Sequence, residues 1–453
     1  MASLDGRMDL DENPFSATDH IFSNKRPLKD DSFQPEEIFH RDEEIANLVG
    51  ALQDVIMGHD PNNTFIYGPT GVGKTAVTKW AREKLMERAR EEDVDLAVVG
   101  PVNCRNYKSA YRLVSGIVNR FRSPDDQIPT SGYSTDTVFR FLYEEIAQTG
   151  ENVIIILDEI DNIPPDARND FLYDLPRASA SEDTPIEDVG VGLIGISNDL
   201  KFVDVLEPKV KSTLSEREIN FSPYDANELR DILSYYADIS FRDDVLDEDV
   251  VPLAAASAAQ ERGDVRQGLK ILEKAGELAR QEGAITVGES HTREAIDSIE
   301  TDEIRQYLDE ELSLHQALSY LAVTLAVISP DVSAKTREVY RIYDGLCSSR
   351  DTDEKSQRKL YEFLDQLSMY HLISSQERNL GRKGGRTFVY EVTDDPVDIV
   401  LGAAKSQYSE LVTEQVIHAL ADHADRQPDS FDLQTSEPLE RLAVFDEILS
   451  GDS

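Results

Sequence analysis

Cysteine is almost missing from this 453-residue sequence: Cys104 and Cys347 are the only two. Thiols so far apart make neither a disulfide framework nor a zinc-ligand pattern, and they read as packed or free thiols in a reducing compartment. Long apolar runs are missing too. The longest, Tyr320–Ile328, falls well short of the ~20 residues that a membrane-spanning helix needs. Met1–Asp11 is acidic and has no apolar stretch, so no secretory signal is expected. Cations are scarce: 46 Lys and Arg stand against 88 Asp and Glu, a net charge of −42, and only 16 of the 46 are lysine. These absences exclude a secreted disulfide scaffold, a zinc module and a membrane protein. The expectation is a cytoplasmic chain with no membrane partner.

The acid is spread along the chain rather than gathered in a tail. Such a surface repels nucleic acid and anionic membranes except where a local basic patch reverses the field. Acidic, lysine-poor composition suits a cytoplasm of high salt, where the screening length shrinks to ~3 Å at 1 M and self-repulsion is quenched. An ordinary acidic protein is the plainer reading of the same numbers. Hydrophobic residues make up 40% and aromatics 8%, enough for well-packed cores, and at ~100–200 residues per domain the length suggests two to four domains.

Residues 1–35 lack sustained periodicity and read as an acidic, partly disordered arm whose later part docks. Residues 36–57 repeat apolar side chains at helical spacing (Ile45, Leu48, Val49, Leu52, Ile56). Short apolar runs then alternate with helical stretches: strands at Thr64–Tyr67, Asp95–Val102, Val153–Leu157, Val191–Ser197 and Glu218–Phe221, helices at Lys74–Arg90, Tyr107–Arg122 and Val138–Gln148. Ser123–Tyr133 and Ser179–Asp188 are loop-rich. Strands apolar throughout belong to a parallel sheet covered on both faces, and the alternation predicts a doubly wound α/β domain over 36–224. Four periodic helices (226–237, 250–262, 265–281, 291–299) predict a small all-helical domain over 225–300. Helices at 303–328, 336–346 and 354–369 follow. Two strand-like runs around a Gly/Arg/Lys turn, within 371–392, then predict a β-hairpin. Helices followed by a hairpin with a basic tip suggest a winged helix over 301–424, closed by a helix at 402–424. Residues 425–453 form an acidic tail with an apolar helical patch at Leu439–Leu449.

Gly68-Pro69-Thr70-Gly71-Val72-Gly73-Lys74-Thr75 matches G-x-x-x-x-G-K-[ST] at every fixed position, between a strand and a helix. The glycines let backbone N–H groups close on phosphate, and the following helix adds its positive end. Lys74 is expected to reach the β- and γ-phosphates of ATP, and Thr75 to complete a Mg²⁺ shell. The strand Val153–Leu157 ends in Asp158 and Glu159. Asp158 is expected to hold the Mg²⁺, and Glu159 to orient or deprotonate an attacking water; alone they read equally as two acids ending a strand. Asn198 ends the next strand, at the edge where ligands of a parallel sheet bind. It either holds the γ-phosphate or water, or is a turn asparagine.

This layout resembles the AAA+ ATPases. HRDEEI (40–45), YDLPRA (173–178), LIGISNDLKF (193–202), VKSTLSEREINFSPYDANEL (210–229) and GDVRQGLKILEKAGELA (263–279) narrow it. In this order they resemble the archaeal replication initiators related to the origin recognition complex large subunit and the cell-division-cycle loader protein, over residues 12–400. The resemblance implies an AAA+ domain, a helical lid and a C-terminal winged helix. It implies ATP or ADP with Mg²⁺, and hydrolysis slow enough to act as a switch. It makes Asn198 the sensor-one residue and Arg266 the sensor-two arginine, with the residues from Pro35 to Arg41 lining the adenine. It implies double-stranded origin DNA as partner, with a replicative helicase and other initiator subunits beyond it. Lys209 stands where the family carries an arginine that acts on a neighbour's nucleotide. Lysine cannot fork onto two oxygens, which puts that role in doubt. Lys209, Lys211 and Arg217 either place charge near the crevice or are solvated.

Candidate DNA contacts are Arg378, Arg382, Lys383 and Arg386 at the hairpin tip, and Lys355, Arg358 and Lys359 on the opening turns of a recognition helix. A second DNA-contacting helix is implied within 123–145, where Arg120, Arg122 and Arg140 supply little charge. Since affinity falls with salt at a slope of about −0.9 per neutralised phosphate, a high-salt initiator is expected to lean on base and shape readout. Rival readings are a winged-helix transcription regulator, a clamp-loader-like remodeller and a paralogue without an origin.

Overall fold

The computed structural model describes residues 19–30, 33–149, 152–165, 167–180, 186, 189–199, 201–202, 206–214, 217–261, 263–329, 333–379 and 386–426. Among these, no helix is long and apolar enough to cross a membrane. Contacts divide the chain into two compact units: Asn24–Ser240 with Ala255–Leu269, and Met1–Ser23 with Phe241–Ala254 and Lys270–Ser453.

The first unit opens with the short helix α1 (Arg26–Lys29), then α2 (Asp42–Ile56). Strands β1 (Thr64–Tyr67), β2 (Leu96–Asn103), β3 (Asn152–Asp158), β4 (Gly190–Ser197) and β5 (Arg217–Asn220) form one parallel sheet in the order β2-β3-β4-β1-β5. Helices α3 (Lys74–Glu91), α4 (Ala110–Phe121), α5 (Thr135–Thr149) and α6 (Pro208–Leu214) connect the strands, and α7 (Ala226–Ser240) follows β5. The continuous apolar runs of β3 and β4 are buried residue after residue. Val114, Ile117, Leu142 and Ile146 of α4 and α5 share a core with Val153, Ile155 and Leu193. Tyr67 registers with Ser197 and Leu157 with Gly195. The C-terminal ends of β1, β3 and β4 therefore lie side by side, at the switch point where parallel sheets bind ligands.

Helix α8 (Val250–Glu261) and α9 (Val265–Glu282) each run from one unit into the other. The second unit continues with α10 (Glu289–Gln306), α11 (Leu314–Ile328), α12 (Thr336–Ser349), α13 (Gln357–Met369), β6 (Ile373–Asn379), β7 (Arg386–Val392), α14 (Pro396–Ala404) and α15 (Glu414–Arg426). Strands β6 and β7 pair antiparallel, and a single bridge from Lys335 to Val389 extends the hairpin. Leu318, Tyr320, Tyr343, Leu360 and Leu364 form the core beneath it. This is the predicted winged helix.

Several expectations are corrected. The helix expected over 36–57 begins only at Asp42, because His40 takes a left-handed φ of 56° and Arg41 caps the helix in a non-helical conformation. The helix expected from Tyr107 starts after Ser109, whose hydroxyl accepts the Arg112 N–H. The continuous helix 303–328 is two helices. The end of α10 widens into a π-turn over Tyr307–Glu311, Leu312 extends, and Ser313 restarts the chain with Gln316 in a capping box. The helix 402–424 is also two: Asp395 caps α14 with Pro396 behind it, and a tight turn around Ser406–Val412 precedes α15.

Within the arm, residues 19–22 pack against the second unit's own helices and strand bridge. Ile21 and Phe22 are buried, Phe22 bridges to Phe241 with the two rings tilted by 35° and their centroids 4.8 Å apart, and Asp19 pairs with Arg280 at 2.9 Å. Gly276 leaves the room: a Cβ there would lie 2.3 Å from the Phe22 ring. Residues 1–18, most of the loop 179–188 and the tail from 427, including Leu439–Leu449, lie outside the described residues.

Candidate nucleotide-binding site and DNA-facing elements

Residues Gly68–Gly73 form the loop between β1 and α3. Gly71 and Gly73 have φ of 69° and 88°, a backbone that side-chain-bearing residues rarely adopt. Gly73 is the N-cap of α3, so the free N–H groups of Lys74 and its successors face the loop. Lys74 is buried, and its ammonium donates to the carbonyls of Gly68, at 2.8 Å, and Pro69. Burial pushes its pKa down to about 8; Asp158, Asp161 and Asp264 oppose that shift and Arg266 adds to it. An ammonium held by loop carbonyls, short of solvent and of a counter-ion, is prepared for an anion.

The Thr75 hydroxyl donates to Asp158 Oδ2 at 2.9 Å, bringing together the end of β3 and the start of α3. Asp158 Oδ1 accepts the Glu159 N–H at 2.9 Å. Glu159 itself has φ 52° and ψ 51°, left-handed backbone that costs a non-glycine residue about 1–3 kcal/mol and clusters at functional sites. The motif showed the two acids but not this strain.

Two further carboxylates complete the site. Asp161 Oδ1 accepts from the Ser197 hydroxyl at 2.7 Å and from the Asn198 N–H at 3.3 Å, so it ties the turn after β3 to the turn that carries Asn198. Asp264 caps α9 by accepting the Arg266 N–H at 2.8 Å. Arg266 is close enough to Lys74 to act on its charge. In sequence Asp161 looks like any other acid of the chain, whereas Asp264, in the Gly-Asp lead-in to Arg266, reads as a helix N-cap, and the structure bears that cap out.

Arg41 is buried, and its guanidinium is committed to the protein. Nε donates to the Val72 carbonyl at 3.0 Å, one terminal nitrogen to Ser222 O at 2.7 Å and the other to Glu44 at 3.1 Å, and the plane lies 3.6 Å from the Tyr224 ring centroid. It braces the phosphate loop from behind. Lys209 pairs with Glu207 at 3.4 Å and lies over the Tyr173 ring. Arg217 cannot serve the crevice as considered from the sequence. It registers with Thr64, at the opposite end of the sheet from Gly68.

The residues present fit a magnesium–nucleotide. Thr75 and Asp158 offer two hard oxygens, and among the described residues no group of three or more His, Cys, Asp or Glu could hold a metal unaided. Mg²⁺ typically takes just one or two protein oxygens and fills its shell from phosphate and water.

In the winged helix, Ser356 caps α13, so Lys355 precedes the helix instead of lying on its opening turn, and its N–H donates to the Tyr343 hydroxyl at 3.2 Å. Lys359 is on the first turn, paired with Glu362 at 2.5 Å, and Arg358 beside it is exposed. Arg382 and Lys383 lie outside the described residues. Arg378 and Arg386 sit on facing strands next to that tip, and Arg378 registers with Thr387. In 123–145 the helix is α5, preceded by a single turn at Pro124–Asp126. It is net acidic, with Arg140 against Asp136, Glu144 and Glu145, and the nearby cations are paired: Arg122, just after α4, meets Glu145 at 2.5 Å, and Arg140 lies 3.7 Å from Glu144.

Comparison with known proteins agrees with this layout. Residues 57–198 match the AAA domain, 230–297 the Cdc6 AAA+ ATPase-type lid domain, and 308–401 the CDC6 C-terminal winged helix domain. The chain is 66% identical to the ORC1-type DNA replication protein 8 of Haloarcula marismortui over 94% of this chain and 96% of that one. It is 40% identical to ORC1-type DNA replication protein 15 of the same organism, over 82% and 89%. The structure of the Aeropyrum pernix ORC1 protein in complex with DNA aligns over 87% of this chain and all of that one, at 32% identity and a TM-score of 0.69. The phosphate loop, the lid helix bearing Arg266 and the winged helix are thus parts of one known machine, and the chain belongs to the Orc1/Cdc6 family of AAA+ DNA replication initiators, with haloarchaeal relatives.

Proposed function

We propose that this protein is a cytoplasmic initiator that binds double-stranded DNA at origin repeats through its winged helix. In this reading it uses its ATP or ADP state as a switch and recruits the replicative helicase and further initiator subunits. The observation that carries the nucleotide half is the Thr75–Asp158 hydrogen bond beside the buried Lys74. The DNA half is supported by the likeness to the DNA-bound Aeropyrum protein.

In this reading Lys74 and the N–H groups of the loop hold the β- and γ-phosphates. Thr75 and Asp158 hold Mg²⁺, which when bound neutralises charge on the phosphates. Glu159 accepts a proton from the water that attacks the γ-phosphorus, and the bond to the ADP oxygen breaks as the new P–O bond forms. Asn198, its backbone fixed by Asp161, orients that water or the γ-phosphate, and Arg266 binds the γ-phosphate from the lid. Turnover is slow. Arg358 and the hairpin cations Arg378, Arg382, Lys383 and Arg386 take the DNA, joined by Lys355 and Lys359.

Genome-wide crosslinking and immunoprecipitation in the host tests the reading. Sharp peaks at repeats beside origins, lost in a Lys74→Ala strain, are the expected result. Peaks at many promoters and none at origins would make the protein a regulator instead.

A further inference from the structure

The lid helix α9 begins on the phosphate loop itself. The Val265 N–H donates to the Gly71 carbonyl at 3.2 Å. The Asp264 carboxylate, which caps α9 through the Arg266 N–H, lies over Gly71 so closely that a Cβ there would fall 1.5 Å from its Oδ1. Behind it, Gly263 turns left-handed at φ 68° and its carbonyl accepts the Tyr224 N–H at 3.4 Å. The Tyr224 hydroxyl would stand 3.0 Å from a Cβ on Gly73. Three consecutive loop residues are therefore contacted from outside: Gly71 by Asp264 with Val265, Val72 by Arg41, and Gly73 by the nearby Tyr224 hydroxyl. The bare Cα of Gly71 serves the lid as well as the phosphate.

We propose that Asp264 is a positioning residue: its carboxylate seats the first turn of α9 on Gly71 and thereby aims Arg266 at the γ-phosphate, so that discrimination between ATP and ADP depends on it. The inference rests on the sensor role proposed for Arg266. It follows from two bonds made by one side chain's neighbourhood. The carboxylate fixes the backbone of Arg266, and the adjoining amide fixes that turn to the loop. A carboxylate beside an anion-binding loop disfavours bound phosphate by charge alone, so its place there calls for a compensating task, and capping the helix that carries the arginine supplies one.

The test uses the full-length protein with ADP and with a non-hydrolysable ATP analogue, and reads the ratio of the two affinities. Arg266→Ala is expected to lower the preference for the γ-phosphate about 10-fold or more, as for loss of a charged hydrogen bond. Asp264→Ala is expected to lower it to a similar extent, and the double variant no further, because both act through one guanidinium. Asp264→Asn, which keeps an oxygen for the cap, is expected to restore most of the preference. A folded Asp264→Ala protein with the wild-type ratio, while Arg266→Ala loses it, overturns the inference alone. A wild-type ratio in Arg266→Ala removes the sensor role and the inference with it. Hydrogen exchange in the unmodified protein gives a check that no variant's folding affects. The Val265 amide is expected to exchange more slowly with the ATP analogue than with ADP, and equal rates overturn the coupling.

Discussion

Glu159 shows how a single residue carries both fold and chemistry. Its left-handed backbone is held by Asp158 on one side and by the turn leading to Asp161 on the other. Glu159→Gln keeps that geometry and removes the proposed base, so ATP turnover is expected to fall about 10²–10⁴-fold with nucleotide affinity retained, as single-turnover and equilibrium binding assays would show. Lys74→Ala is expected to abolish nucleotide binding while the circular dichroism spectrum stays native; unchanged affinity would sink the site. Arg41 is the opposite case. The family resemblance implied a place near adenine; in the structure its guanidinium is spent on Val72, Ser222 and Glu44. Arg41→Ala strands those partners and is expected to cost about 3 kcal/mol in denaturant unfolding. The phosphate loop was legible because its chemistry is local, eight consecutive residues. The Asp264 cap on α9 was legible for the same reason, but the bond of Arg41 to Ser222, the bond of Asp161 to Ser197 and the seat of Asp264 over Gly71 were not, because those partners lie 181, 36 and 193 residues away in sequence.

At the scale of elements, strands and amphipathic helices were readable wherever one period ran without interruption, as in β3, β4 and α3. Errors gathered where two helices meet without a glycine or proline between them. Leu312–Ser313 breaks a pattern that stays apolar and helical on both sides, and only the capping pair Ser313 and Gln316 marks the stop. Helix α13 carries a prediction of its own. Lys359 is neutralised by Glu362 on the surface thought to meet DNA. Glu362→Gln is expected to tighten DNA binding at low salt and to steepen the salt slope by about 0.9, the increment for one more phosphate contact; an unchanged slope in a titration from low to high salt would take Lys359 out of the interface. The Phe22 plug makes a second case. Gly276→Leu has no room beside that ring, and the variant is expected to expose the segment around residues 19–23 to limited proteolysis.

For the whole molecule, charge dominates. At −42 the fold repels itself in dilute buffer. The thermal midpoint is expected to rise as KCl is taken from about 0.1 M to above 1 M, over the range in which the screening length drops from ~10 Å to ~3 Å. A flat profile would count against adaptation to high salt. DNA binding in the same salts is expected to show a slope much shallower than −10, since few cations are on offer and α5 and α13 spend part of theirs on neighbouring acids.

The order of elements, the nucleotide class and the family were determined by sequence alone, because each rests on local pattern: a loop of fixed spacing, strands of continuous apolar residues, a lid opening with GDVRQ. Tertiary structure decided which of many identical acids and arginines matter. In a chain with 88 acidic residues, composition cannot tell a solvated carboxylate from Asp264, whose seat over Gly71 exists only once the start of α9 has packed onto the phosphate loop. Side-chain roles of that kind are set by distance in space, and periodicity along the chain carries no record of it.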